Sequence, residues 1–130
     1  MRRCWWTFTL IVVLALLGTT GEARGQSFTQ WAITVTASSE YGGGDWAAKQ
    51  MLGKPDFYPN YGDDGHAWAP IGQSAGLQWV ELGFEEAVYV ERVDIYETFN
   101  PGSIVKVELI DTTGRWHVIW EGTGGFAGDT

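Results

Sequence analysis

Residues 104–121 read Ile104-Val105-Lys106-Val107-Glu108-Leu109-Ile110-Asp111-Thr112-Thr113-Gly114-Arg115-Trp116-His117-Val118-Ile119-Trp120-Glu121. Val105, Val107 and Leu109 fall on alternate positions, so in an extended chain they face one way. Asp111-Thr112-Thr113-Gly114 supplies turn chemistry, and Trp116, Val118 and Trp120 resume the alternation on the return. The stretch predicts a β-hairpin. Upstream, Leu77 to Phe84 repeats the same period, with Val80, Leu82 and Phe84 on one face and Leu77 and Trp79 on the other. Gln30 to Ser38 does so again through Trp31, Ile33, Val35 and Ala37.

The connections carry turn signals. Tyr41-Gly42-Gly43-Gly44 breaks the first strand. Asp45 stands where an N-cap would serve a short helix over Trp46–Leu52; Gly53 ends it and Pro55 prevents its resumption. Residues 55–76 form a long loop rich in Pro, Gly, Asp and aromatics, a length that in a compact domain usually marks function. Gly83 to Ala87 turns with Glu85 and Glu86 exposed. Val88 and Val90 then alternate, but the apolar phase slips to Val93 and Ile95, which predicts a bulge or break near Glu91-Arg92. Asn100-Pro101-Gly102 is a turn. The expected class is all-β, an antiparallel β-sandwich with one short helix after the first strand.

Composition agrees. The 130-residue chain holds 18 glycines and 15% aromatic residues, and only 18% of it is charged. Its formal charge of −8 offers no basic stripe for a phosphate backbone, so no nucleic-acid partner is expected. The N-terminus reads separately. Arg2 and Arg3 precede an uncharged run from Trp5 to Leu17, followed by small residues ending in Ala23-Arg24-Gly25. That order is a secretory signal peptide over residues 1–25, with cleavage before Gln26 and an uncleaved N-terminal anchor as the alternative. The run is too short to span about 30 Å of hydrocarbon comfortably. Residues 26–130 then form the domain, exported and not membrane-inserted. They hold five basic and fifteen acidic residues, a formal charge of −10, and no cysteine, since Cys4 lies in the leader. The core must hold without disulfides.

Several stretches carry a resemblance. Thr36-Ala37-Ser38-Ser39-Glu40, Trp46-Ala47-Ala48 to Gly53, Ala67-Trp68, Leu77 to Phe84 and Val93-Asp94-Ile95-Tyr96 resemble the discoidin domain of the galactose-binding-like jelly rolls. Tyr61-Gly62-Asp63-Asp64 and Tyr96-Glu97-Thr98-Phe99-Asn100-Pro101-Gly102 are more particular. They are similar to the scarf-type domain of pappalysin and to the N-terminal module of an F-box leucine-rich-repeat protein. The resemblance covers about residues 31–122 and implies a jelly roll whose pattern continues into further C-terminal strands, so a truncated chain with an open edge is expected. It also implies a structural calcium ion after the short helix, with Asp56 and the backbone oxygens of residues 50–54 as the ligands present here. The competing reading makes Asp56, Asp63 and Asp64 solvated turn carboxylates.

Catalytic signals are thin. No pair of carboxylates is singled out for glycoside hydrolysis. There is no nucleophile elbow, phosphate-binding loop or dinucleotide fingerprint. His66 and His117 have no Cys or His companion at metal-ligand spacing, so no zinc site is expected. The expectation is a non-catalytic module. Trp68, Trp79, Trp116 and Trp120 read as core. Tyr41, Tyr58 and Tyr61 lie in loops, where they either stack on a ligand or pack as the loop's own small core. In the ligand reading, Asp63 and Asp64 accept hydrogen bonds from hydroxyls or from a basic group. The implied function is recognition of a glycan or an extracellular protein, as part of a larger polypeptide. A domain that braces a neighbouring catalytic domain, such as a metalloprotease, is the alternative.

Overall fold

The structure is a computed structural model; it describes the backbone of residues 9–14 and the whole of residues 28–72 and 76–124. Its strands are β1 (Thr9–Leu14), β2 (Thr34–Ala37), β3 (Val80–Gly83), β4 (Lys106–Asp111) and β5 (Trp116–Glu121). The only helix among the described residues is a single 3-10 turn over Ala48–Met51. The chain is all-β.

The hairpin forms where the sequence places it. Asp111 closes it: its Oδ1 accepts from the Thr113 N–H at 2.8 Å, the Thr113 hydroxyl at 2.6 Å and the Arg115 N–H at 3.1 Å. Gly114 takes the positive φ of 83° that the turn requires. The Thr113 hydroxyl, and then His117, whose Nε2 is 2.8 Å from Asp111 Oδ2, hold the Asp111 carboxyl well below the usual carboxylate range. The antiparallel β4–β5 ladder contains one irregularity. Val107 pairs with Trp120 but Glu108 pairs with Val118, so Ile119 is an extra residue on β5. Directly paired residues share a face. Trp120 therefore lies on the face of Val107, and Val118 and Trp116 on that of Glu108 and Ile110. The single face expected for Trp116, Val118 and Trp120 is split by this bulge.

β2 and β3 pair antiparallel, from Thr34 opposite Gly83 to Ala37 opposite Val80. Two further bonds lengthen the pairing, Ile33 N–H to the Gly83 carbonyl at 2.8 Å and Ser38 N–H to the Trp79 carbonyl at 2.9 Å. Val35 and Ala37 turn inward as expected, but Ile33 is exposed and Ala32 is buried in its stead, so the alternation starts later than Gln30. One apolar cluster takes Val80 and Leu82 from this sheet, Val107 and Leu109 from the other, and Ala32, Ala48, Trp68 and Ile104 from the connections. Trp79 lies on the outer face of β3, 37% exposed, and Trp116 and Trp120 are 53% and 46% exposed. Of the four tryptophans expected in the core, only Trp68, at 8%, is there.

Two local expectations are corrected. Residues 85–105 contain no strand, so there is no ladder for a bulge at Glu91-Arg92 to interrupt. Alternation at Val88, Val90, Val93 and Ile95 marks a strand only where a neighbouring strand offers hydrogen bonds, and none does. The helix expected over Trp46–Leu52 shrinks to its single turn, because Trp46 itself sits at φ 55° outside any right-handed helix. Asp45 does not cap it. The Ala48 N–H is taken by Glu40 Oε2 at 2.7 Å, from eight residues upstream. Gly53 does end the turn, at φ 76° with its N–H on the Ala32 carbonyl.

β1 falls inside the expected leader. Its backbone runs parallel to β4, from Thr9 opposite Lys106 to Leu14 opposite Asp111, giving the sheet order β1-β4-β5. Cys4 and the Gly25-Gln26 junction lie outside the described residues. Among the described residues, no helix is long and apolar enough to cross a membrane.

Candidate functional site

The Ser38-Ser39-Glu40 segment after β2 organises everything around it. Gln78, buried just before β3, accepts from the Ser38 hydroxyl at 2.8 Å and the Ser39 hydroxyl at 2.5 Å. The Ser38 oxygen in turn accepts the Trp79 N–H, and the Ser39 oxygen the Ile71 N–H. The Ser39 carbonyl accepts the indole N–H of Trp68 at 2.9 Å, which satisfies the one polar atom of that buried ring. With Glu40 on the 3-10 turn, three consecutive residues fix the strand end, the core tryptophan and the helix start, the tryptophan through the Ser39 carbonyl and the others through side chains.

That anchoring draws the loops together. Tyr41 N–H bonds the Ala69 carbonyl at 2.7 Å, Trp46 N–H the Gly65 carbonyl at 2.9 Å, and Ala69 N–H the Trp46 carbonyl at 3.0 Å. Gly65 has to be glycine, since an added Cβ would lie 2.7 Å from the Asp45 Cβ. Gly62 N–H bonds the Thr98 carbonyl at 2.8 Å, which brings in the segment before the Asn100 turn. Asn100 takes φ 48° and Gly102 φ 94°, and the Glu97 carboxylate accepts the Gly102 N–H.

Tyr41, Tyr58 and Tyr61 are each more than half exposed. Each also has an aromatic neighbour. Tyr41 meets Trp46 edge-on at 5.8 Å, Tyr58 meets Tyr96 edge-on at 4.8 Å, and Tyr61 lies 6.0 Å from Phe99 at a tilt. Asp63 Oδ1 accepts the Trp46 indole N–H at 3.0 Å. Asp64 accepts the backbone N–H of His66 at 3.0 Å and lies 2.6 Å from its ring Nδ1. The backbone N–H, and then the ring, hold the Asp64 carboxyl below its ordinary value. Asp64, followed by the nearby charges of Asp56, Asp64 and Asp45, raises His66. Tyr41, Tyr58, Asp56, Asp63, Asp64 and His66 line one open trough of about 1490 Å³, whose floor includes Val80, Leu82 and Ile104. Tyr61 stands beside it.

Asp56 is exposed, and among the described residues no three His, Cys, Asp or Glu side chains gather to hold a metal ion. Sequence reasoning missed Trp46, Tyr96, Phe99 and His66 as members of this surface. In the sequence Trp46 fits a helix pattern, and Tyr96 and Phe99 stand out only within the resemblance. Glu40, at the edge of the first loop, serves as the cap of the 3-10 turn.

A comparison with protein families gives a match over residues 21–121 to the family described as Pappalysin-1, SD scarf domain, C-terminal. No curated protein and no solved structure matches the chain.

Proposed function

The chain belongs to the pappalysin-1 SD scarf domain family, and from that premise we propose that it is a non-catalytic binding module of a larger exported protein. Its site recognises a glycan or a protein through the loops around Tyr41, Tyr58 and Tyr61. The supporting observation is the convergence of three sequence-distant loops, held by backbone hydrogen bonds, on one trough with exposed tyrosines at its rim. Exposed rings on a fixed frame can stack on a sugar face or a partner side chain, while Asp63 and Asp64 accept from hydroxyls or a basic group. The acidic balance favours a neutral or cationic ligand. Bracing against a neighbouring domain is the second reading, supported by the exposed apolar side chains of β5, Trp116, Val118, Ile119 and Trp120.

Glycan arrays and pull-downs with the full chain test the proposal. Tyr58→Ala and Tyr61→Ala are expected to weaken binding at least several-fold. The stability cost should stay near the value of one aromatic pair, about 0.5–1.5 kcal/mol. Hydrolysis of a glycoside or peptide by the purified chain would overturn it. So would tyrosine variants that unfold the domain without a binding defect of their own.

A further inference from the structure

We propose that the β4 edge on which β1 lies is a strand-acceptor site. The leader fills it in the precursor. After leader removal it takes an extended, uncharged aliphatic segment of a partner protein, paired parallel to Lys106–Asp111. The proposal rests on removal of residues 1–25, and no residue of β4 lines the tyrosine-bearing trough.

Three observations carry it. First, the occupancy is complete: β1 matches β4 residue for residue over all six positions, and β1 also lies beside β3. Whatever sits there bridges the two sheets that share the core. Second, β4 is built as an interior strand. Val107, Glu108 and Leu109 are all buried, although neighbouring side chains of a strand point to opposite faces. With β1 gone, alternate N–H and C=O groups of β4 lose their partners along a whole edge.

Third, this edge lacks the devices that blunt free edges, such as proline, a bulge or an unpaired lysine. The bulge of this sheet lies on β5, and β4 holds no proline. Its one lysine, Lys106, is committed to Glu108 at 2.8 Å. Its second carboxylate, Asp111, is taken up by the hairpin turn and His117 at the end of the strand. The segment seated there, Thr-Leu-Ile-Val-Val-Leu, is uncharged and free of glycine and proline. These features define the partner: a β-prone aliphatic strand, recognised by backbone pairing.

Amide hydrogen exchange provides the test. In the full chain, the β4 amides that face β1 should be protected. Val12→Pro removes a backbone donor from β1 and should lower their protection at least tenfold, with the amides facing β5 unchanged. A peptide of the Thr9–Leu14 sequence with solubilising lysine tails should restore it; one with proline at the fourth position should not. Should Val12→Pro unfold the chain, the exported protein serves instead. It should begin at Gln26, show exposed β4 amides, and gain at least tenfold protection from the same peptide. Retention of residues 9–14 in the exported protein, or no protection by the peptide, would overturn the proposal. Tyr58→Ala should leave the peptide effect unchanged, which separates failure here from failure of the loop site.

Discussion

β3 alternates Val80 and Leu82 with Glu81; β5 alternates Trp116, Val118 and Trp120 with His117 and Ile119. Val80 and Leu82 are buried, whereas all six residues of β5 are exposed. The strands differ in what lies opposite. β3 faces Trp68, Ile104, Val107 and Leu109 across the core. β5 is the outer strand of its sheet, bent by an extra residue, and no described element covers it. Alternation states that a strand has an apolar face. It does not state that a second layer exists to bury that face.

The harshest way to break this comparison is to place a charge at an apolar position of each strand. Leu82→Asp buries an unpaired carboxylate at an effective cost of several kcal/mol, enough to unfold a marginal domain. Val118→Asp meets water and should leave the circular dichroism spectrum and urea midpoint close to those of the parent. Equal damage from the two would show that β5 is covered in solution.

A series of tryptophans grades the same contrast. Trp68→Ala should cost about 3–5 kcal/mol, because the ring is buried and its N–H is satisfied by the Ser39 carbonyl. Trp79→Ala should cost about 1–2 kcal/mol, since part of that ring already meets water. Trp116→Ala should stay within about 1 kcal/mol, the worth of a cross-strand pair with Ile110. Urea denaturation of the three variants gives the order. A cost for Trp116 above that for Trp68 would invert the assignment of core and surface.

Legibility in the sequence follows the same physical line. β3, the β4–β5 hairpin and its Asp111 turn were readable because their signals are local: period two, and a carboxylate followed by a positive-φ glycine. Gly53 was readable for the same reason. The Ile119 bulge was hidden, because it is a property of register between two strands. Glu40 is not legible as a cap because Asp45 stands closer in sequence, and the competing geometry depends on Trp46 taking a left-handed conformation. In the site, Tyr41, Tyr58 and Tyr61 stood out as loop aromatics. Their partners Trp46, Tyr96 and Phe99 are brought near by the Gly62–Thr98 and Trp46–Gly65 backbone bonds, which no spacing rule encodes.

The smallest effect expected comes from the His66–Asp64 pair, the loop region's titrating contact. His66 is raised above its ordinary 6.5, first by the hydrogen bond to Asp64 and then by the surrounding carboxylates. A raised histidine contributes stability that is fully present below 6.5 and is lost as pH climbs through its folded value. Asp64 is lowered from 3.8, so its contribution is present above that value and is lost as pH falls through the depressed one. The pair is therefore charged on both sides in mildly acidic solution and fades toward alkaline pH. The His66 ring resonances should titrate with a midpoint above 6.5, and Asp64→Asn should bring that midpoint down. The stability difference between Asp64→Asn and its parent should be largest in mildly acidic solution and shrink as pH climbs through the folded value of His66, leaving only what the His66 backbone N–H gives the carboxylate. A midpoint unmoved by Asp64→Asn would assign the shift to the nearby charges of Asp56 and Asp45. That result would make the trough's summed charge, not one contact, the feature a cationic ligand meets.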